Sequence, residues 1–261
     1  MPYIITKTYK KGFTLIELTI VIVIIGLLIG AVLTGKTLIR ESEIRASISQ
    51  IEQIKSALNT FRVKYNCLPG DCAYATDFFG IDSNACPAGG GSGTCNGNGN
   101  GKISDINYSD NGQEVYRLWQ QLGSGYSDLI PGKYTGVYTS AAFKFRPSAG
   151  VNAPVNKLGQ NGAMRIYNLD NYSGGSNFFA SNYKHVLELW GSGTTTSPVV
   201  TPAEALSIDA KYDDGLPGYG NIMSYRNSLL PNCLTTDVVS TARYDPSYTS
   251  INCGVFFKMG F

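Results

Sequence analysis

Lys11-Gly12-Phe13-Thr14-Leu15-Ile16-Glu17-Leu18 opens the stretch on which the fold depends. From Phe13 to Leu33 the chain is dominated by Ile, Leu and Val, and its one charge is Glu17. At about 1.5 Å of rise per residue, a helix over this run is about 30 Å long, enough to cross the hydrocarbon core of a bilayer. Every face of it is apolar, so no stripe is left for water. Buried helices of soluble proteins rarely sustain apolarity this long, and the run reads as a membrane span. Gly26 and Gly30, in G-x-x-x-G spacing, allow close packing against other helices.

The flank before the run is short and basic, with Lys7, Lys10 and Lys11 and no acid. A secretory signal begins the same way, but its small-residue cleavage site follows the apolar region. Here the small residue, Gly12, precedes it. Gly12-Phe13-Thr14-Leu15-Ile16-Glu17 ahead of a long apolar helix resembles the class III signal of prepilins, the precursors of type IV pilins and type II secretion pseudopilins. The resemblance is tight over residues 7–34. It implies that a prepilin peptidase cuts after Gly12, that the new N-terminal Phe13 is N-methylated, and that the apolar helix serves as membrane anchor and then as filament core. It implies as partners other pilin copies, the peptidase, the inner membrane and an assembly machinery. The chain then divides into a cleaved leader (1–12), a transmembrane and filament-core helix (13–34), an amphipathic continuation of that helix (35–66) and a globular head (67–261).

Glu17 has a chemistry of its own. A carboxylate at mid-membrane costs about 2.5–3.5 kcal/mol or more, and such residues usually mark function. Glu17 lies near the start of the run, where the interface is close and the positive end of the helix dipole favours an anion. It is either a tolerated carboxylate or the partner of an α-amine, that of Phe13 itself or of a neighbouring subunit. The resemblance implies the neighbour.

All six cysteines, Cys67, Cys72, Cys86, Cys95, Cys233 and Cys253, follow the span. An even number on one side of a membrane points to disulfides in an oxidising space. Zinc is the rival, but no C-x-x-C occurs and the single histidine, His185, is remote from every cysteine in sequence. Short separations and intervening turn residues favour the pairs Cys67–Cys72, Cys86–Cys95 and Cys233–Cys253. Basic residues flank the span on both sides, Lys36, Arg40 and Arg45 following it, so charge alone does not orient it. The cysteines and the leader place the N-terminus in the cytoplasm. The net charge of +2 and 15% charged residues, scattered rather than striped, argue against nucleic acid as a partner.

Beyond the span, Ile44, Ile48, Ile51, Ile54, Leu58, Phe61 and Tyr65 recur at helical spacing, so the helix continues with one apolar stripe until Leu68-Pro69-Gly70 stops it. Asp110 or Asn111 caps a short helix whose apolar face is Val115, Leu118, Trp119 and Leu122. Strands are expected at 142–146, 163–169, 185–190 and 252–258. Thr201-Pro202-Ala203-Glu204 reads as a helix start with a capping box, running to about Lys211. The fold class is α+β and pilin-like: a long N-terminal helix, a small antiparallel sheet, and large disulfide-stapled loops.

No nucleophile–histidine arrangement, Walker motif or dinucleotide fingerprint is present, so no catalytic residue is assigned, and His185 reads as a part-buried strand residue. No cofactor is required. Calcium has two candidate seats. Asn96, Asn98, Asn100 and Lys102 occupy positions one, three, five and seven of an EF-hand-like loop, with Gly101 at six. The loop carries little negative charge unless Asp105, Asp110 or Glu114 folds in, and its twelfth position is Asn107. Asp209, Asp213 and Asp214 form the second cluster. The first segment reads more readily as a plain asparagine-glycine turn, and the second equally as a helix end and turn. The expected function is a structural subunit of a type IV pilus or secretion pseudopilus; the alternative is a minor pilin with an adhesive or DNA-binding head.

Overall fold

The computed structural model describes residues 12–82, 86, 93–103, 114–138, 146–158, 162–172, 174–175, 177–191 and 198–261. Helix α1 spans Leu15–Tyr65. It is followed by α2 (Ala75–Phe79), α3 (Glu114–Leu122), β1 (Ala163–Tyr172), β2 (Ser181–Trp190), α4 (Pro202–Tyr212), β3 (Ile222–Ser224) and β4 (Val255–Lys258). The chain forms two compact units, the first ending at Ser42 and the second running from Glu43 to Phe261. In the first unit α1 is apolar all round. Among the described residues it is the one helix long and apolar enough to cross a membrane, with a mean hydropathy of 2.9 over its best window. Its hydroxyls bond inside the helix: Thr34 Oγ1 donates to Gly30 O at 3.0 Å and Thr37 Oγ1 to Leu33 O at 3.3 Å. These two hydroxyls therefore demand no water, as a bilayer requires.

In the second unit the stripe expected from Ile51, Ile54, Leu58 and Phe61 is buried. These residues join one continuous core with Leu118 and Trp119 of α3, Met164 and Ile166 of β1, and Leu187 and Leu189 of β2. The sheet order is β1-β2-β4-β3, every neighbour antiparallel. Successive residues are covered, Ala163 to Tyr167 in β1 and His185 to Trp190 in β2, so both faces of the hairpin are buried there, and this sheet is the β half of the α+β, pilin-like fold. Thr201 caps α4 as expected: its side chain accepts from Glu204 N at 3.2 Å, and Glu204 Oε2 accepts from Thr201 N at 2.8 Å.

Several boundaries move. β1 runs on to Tyr172 and β2 begins at Ser181, because the hairpin ladder extends past the apolar residues that advertise it. The ladder is broken by a bulge where Asp170 faces Lys184, both with positive φ. β4 starts at Val255 rather than Asn252, since Cys253 instead bridges Val200. The strand expected at 142–146 lies outside the described residues except for Arg146, which is not in a strand. The caps expected at Asp110 or Asn111 also lie outside them. α3 is buried on every side, Arg117, Gln120 and Gln121 included, so it is not the one-faced helix that its apolar residues suggest. The polar side is accommodated by pairing: Arg117 Nη1 meets Asp82 at 3.1 Å and Gln120 Oε1 at 2.8 Å.

Three disulfides close the head: Cys67–Cys72, Cys86–Cys95 and Cys233–Cys253. Each joins cysteines close in sequence, so each staples a local turn or loop rather than tying distant elements.

A cross-strand ion pair is buried in the head. Arg165 faces Glu188 in register, with Nη2 at 2.9 Å from Oε2, and Tyr225 donates its hydroxyl to Oε1. The guanidinium also lies 4.2 Å from the ring centre of Tyr167 and 5.0 Å from that of Trp190. Arg165→Met is expected to cost about 3–5 kcal/mol, because it strands the Glu188 charge in the interior. Arg165→Met with Glu188→Met should be less damaging than that single change, since no charge is then buried and only the Tyr225 hydroxyl loses its acceptor, about 1–3 kcal/mol. Thermal unfolding followed by near-ultraviolet circular dichroism checks the order; a double variant weaker than the single would refute it.

Candidate processing and assembly site

Residues 12–14 precede α1 without helical structure. Among the described residues a side chain added at Gly12 would meet nothing within 4 Å, and Phe13 is 89% exposed. The Gly12–Phe13 peptide is thus open to an enzyme. Thr14 stands at the N-cap position of α1 and Glu17 at its third helical residue. Thr14 N and Thr14 Oγ1 both donate to Glu17 Oε2, at 2.8 and 2.6 Å, and Glu17 N donates to Thr14 Oγ1 at 3.3 Å. This reciprocal capping box satisfies donors that the start of a helix otherwise leaves orphaned. Glu17 Oε1 has no partner among the described residues. One oxygen of the carboxylate therefore holds the helix start while the other is free. The sequence reading placed Glu17 in the first turns but missed Thr14, although T-x-x-E is the capping-box signature.

From Phe13 to Leu33 every large apolar side chain is at least 48% exposed, an apolar surface that water does not tolerate uncovered. Residues 7–33 match the family model described as the prokaryotic N-terminal methylation motif. The chain carries a prepilin signal. This is the signal of type IV pilins and pseudopilins, a family that is structural rather than catalytic, and Gly12, Phe13 and Glu17 lie inside the matched stretch. With the apolar helix that follows, the prepilin signal makes the precursor a membrane-anchored one. No curated protein and no solved structure matches the chain.

The other sequence candidates fall in the head behind the prepilin signal. The asparagine loop folds onto the Asp71–Cys72 turn, with Gly97 N bonded to Cys72 O and Gly99 N to Asp71 O, both at 2.9 Å. Asn96 Oδ1 accepts from Thr76 N, Asn98 Oδ1 from Asn100 N, and Asn100 Oδ1 from Lys102 N. The three side-chain oxygens thus each hold a backbone N–H: Asn98 and Asn100 in local asparagine turns, Asn96 at the start of α2. The loop's own amides point at acids: Asn100 N and Gly101 N donate to the two oxygens of Asp71 at 3.1 and 2.8 Å, and Asn98 N to Glu114 at 3.0 Å. Burial pushes the Asp71 carboxyl up, against the pull of these N–H bonds. Lys102 Nζ reaches Asp170 at 2.5 Å. Asp105, Asn107 and Asp110 lie outside the described residues.

Asp209, Asp213 and Asp214 bring three carboxylate oxygens within 4.8 Å of one another. Asp209 accepts from Tyr244 at 2.8 Å and Gly215 N at 2.9 Å, and Asp213 from the backbone of Asn221 and Ile222. Burial raises the Asp209 carboxyl to about 6. These bonds tie the end of α4 to the start of β3.

His185 is held on both sides. Ile103 N donates to its Nε2 at 2.9 Å, which leaves the ring proton on Nδ1, 2.7 Å from Phe261 O. The ring also stacks on Phe261 at 4.8 Å, and burial lowers its affinity for a second proton. With both nitrogens committed to backbone partners, His185 pins Ile103 and Phe261 to β2.

Proposed function

We propose that the chain is a structural subunit of a type IV pilus or a secretion pseudopilus. It enters the bacterial inner membrane with its N-terminus in the cytoplasm, is cut after Gly12, is methylated on Phe13, and joins other pilin subunits through α1. The observation that carries this reading is the matched signal running directly into a helix whose apolar side chains are exposed on every face. Such a surface needs two successive covers, lipid in the precursor and neighbouring helices in a filament, and helices of this kind associate through close packing at sites such as Gly26 and Gly30. The free oxygen of Glu17 supports assembly, since it can accept the charged α-amine that cleavage creates at Phe13 of an incoming or resident subunit. The three disulfides suit a head that works in an oxidising space. Electron microscopy of intact cells with an antibody to the head is expected to label filaments along their length. Label confined to the inner membrane, in cells that hold a prepilin peptidase and assembly machinery, would overturn the reading.

A further inference from the structure

Three Asn-Gly dipeptides follow one another in the head, Asn96-Gly97, Asn98-Gly99 and Asn100-Gly101. Each holds the parts of a self-modification. The glycine nitrogen loses its proton and attacks the asparagine Cγ. An N–Cγ bond forms, the Cγ–Nδ2 bond breaks, and ammonia leaves, so that a cyclic imide remains. Water then opens the imide at either carbonyl, to aspartate or to isoaspartate. Glycine favours the first step, because it has no Cβ to keep the two groups apart. All three asparagines are exposed, so water reaches each of them. Sequence and exposure alone make this loop short-lived.

The fold holds both reacting groups at every one of these dipeptides. At the first, Asn96 Oδ1 accepts from Thr76 N at 2.8 Å and Gly97 N donates to Cys72 O at 2.9 Å. At the second, Asn98 Oδ1 accepts from Asn100 N at 3.0 Å and Gly99 N donates to Asp71 O at 2.9 Å. At the third, Asn100 Oδ1 accepts from Lys102 N at 2.8 Å and Gly101 N donates to Asp71 Oδ2 at 2.8 Å. Attack brings the side-chain carbonyl over its own glycine nitrogen, and that movement breaks both bonds. A nitrogen whose proton is held by an acceptor also gives it up less readily, least of all beside an anion, where a second negative charge would have to form. Asp71 is that anion; it is buried, and its other oxygen accepts from Asn100 N at 3.1 Å. The glycines are not replaceable by safer residues. A Cβ on Gly97 would lie 2.4 Å from the Asp71 backbone, and Gly99 and Gly101 have φ of +71° and +81°. The turn therefore demands the hazardous dipeptide, and the bonds of the same turn restrain it.

We propose that Asn96, Asn98 and Asn100 are latent self-modification sites, which the turn at Asp71 and Cys72 keeps shut while the head is folded. Opening them is a one-way event. Isoaspartate carries the main chain through the side-chain carbons and so lengthens the backbone, after which the loop amides no longer return together to Asp71. A loss of the loop's grip is thus written into the covalent chain. The three sites are held unequally. Asn96 and Gly97 are held by backbone groups of Thr76 and Cys72, whereas Gly101 depends on the Asp71 side chain. The inference stands apart from the filament reading, because every residue named lies in the second unit.

The test is peptide mapping by mass spectrometry after the full chain has stood in detergent micelles at mildly alkaline pH, with the same chain unfolded in urea as reference. The unfolded chain is expected to convert at all three asparagines. The folded chain should convert at least about tenfold more slowly at each, the scale of one or two net hydrogen bonds. Asp71→Ala takes away the acceptor of Gly101 N and Asn100 N. It should raise conversion at Asn100 about tenfold over the parent and leave Asn96 unchanged. Asp71→Asn keeps the shape and one acceptor oxygen, so its rate at Asn100 should fall between the two. Near-ultraviolet circular dichroism shows which variants stay folded, and Asp71→Asn decides the matter if Asp71→Ala does not. Equal rates in the folded and unfolded chains would overturn the proposal. An Asn100 rate at or below the parent's in the folded variants would do the same, since Asp71 would then draw the proton away rather than hold it. A rise of equal size at Asn96 would remove Asp71 from the role assigned to it.

Discussion

Gly12→Leu is expected to leave the leader on the chain, with no detectable mature form beginning at Phe13. Gly12 precedes α1, a Cβ there meets nothing within 4 Å among the described residues, and its φ is not left-handed. The chain itself is therefore indifferent to leucine at this position. Any effect must come from the enzyme, which accepts a small residue on the leader side of the cut. The proposed cleavage after Gly12 implies that rule, and among the described residues nothing covers the Gly12–Phe13 peptide. Retention has a further consequence. Phe13 nitrogen stays an amide, so no α-amine exists to meet a carboxylate, and the variant should accumulate in the membrane without entering filaments. N-terminal sequencing of the membrane fraction decides the matter. Normal release of Phe13 from Gly12→Leu would remove glycine from the recognition rule.

Much of this architecture is legible because the responsible physics is local. The run Phe13–Leu33 declares itself by having no polar face, and Ile51, Ile54, Leu58 and Phe61 by recurring every three or four residues. The helix start at Thr201 needs only Thr, Pro and Glu in a fixed order. The cysteine pairs are readable because each closes over turn residues. What escapes is what distant parts of the chain decide. β3 has three residues and no pattern of its own; it exists because Ile222, Met223 and Ser224 find Phe257, Phe256 and Val255. α2 is a single turn and a half between two loops, too short for periodicity to register. Arg117 looks like the solvent side of a helix until the fold covers it. The bulge where Asp170 faces Lys184 is the extreme case, since it shows in no composition or spacing. Thr14 is different, since Thr14-Leu15-Ile16-Glu17 carries the capping-box signature in the sequence itself, inside an otherwise apolar run.

Glu17 carries the second large effect, and two substitutions divide its two jobs. Glu17→Ala removes the charge and also breaks the capping box, leaving Thr14 N without an acceptor at a cost of about 1 kcal/mol to the helix start. Glu17→Gln removes the charge alone, because glutamine fills the same capping position. Both should insert at least as well as the parent, since a carboxylate near the bilayer core costs up to about 2.5–3.5 kcal/mol. Both should still be cut after Gly12, which distinguishes them from Gly12→Leu. Neither should enter filaments efficiently, because the amine of Phe13 on another subunit would meet no anion in a medium where an unpaired charge is expensive. The measurement is the ratio of filament-borne to membrane-borne subunit, with processing confirmed by N-terminal sequence. Loss in both variants assigns the defect to charge. Normal assembly by Glu17→Gln with loss in Glu17→Ala would reassign Glu17 to the helix cap, and normal assembly by both would reduce it to a carboxylate that the membrane merely tolerates.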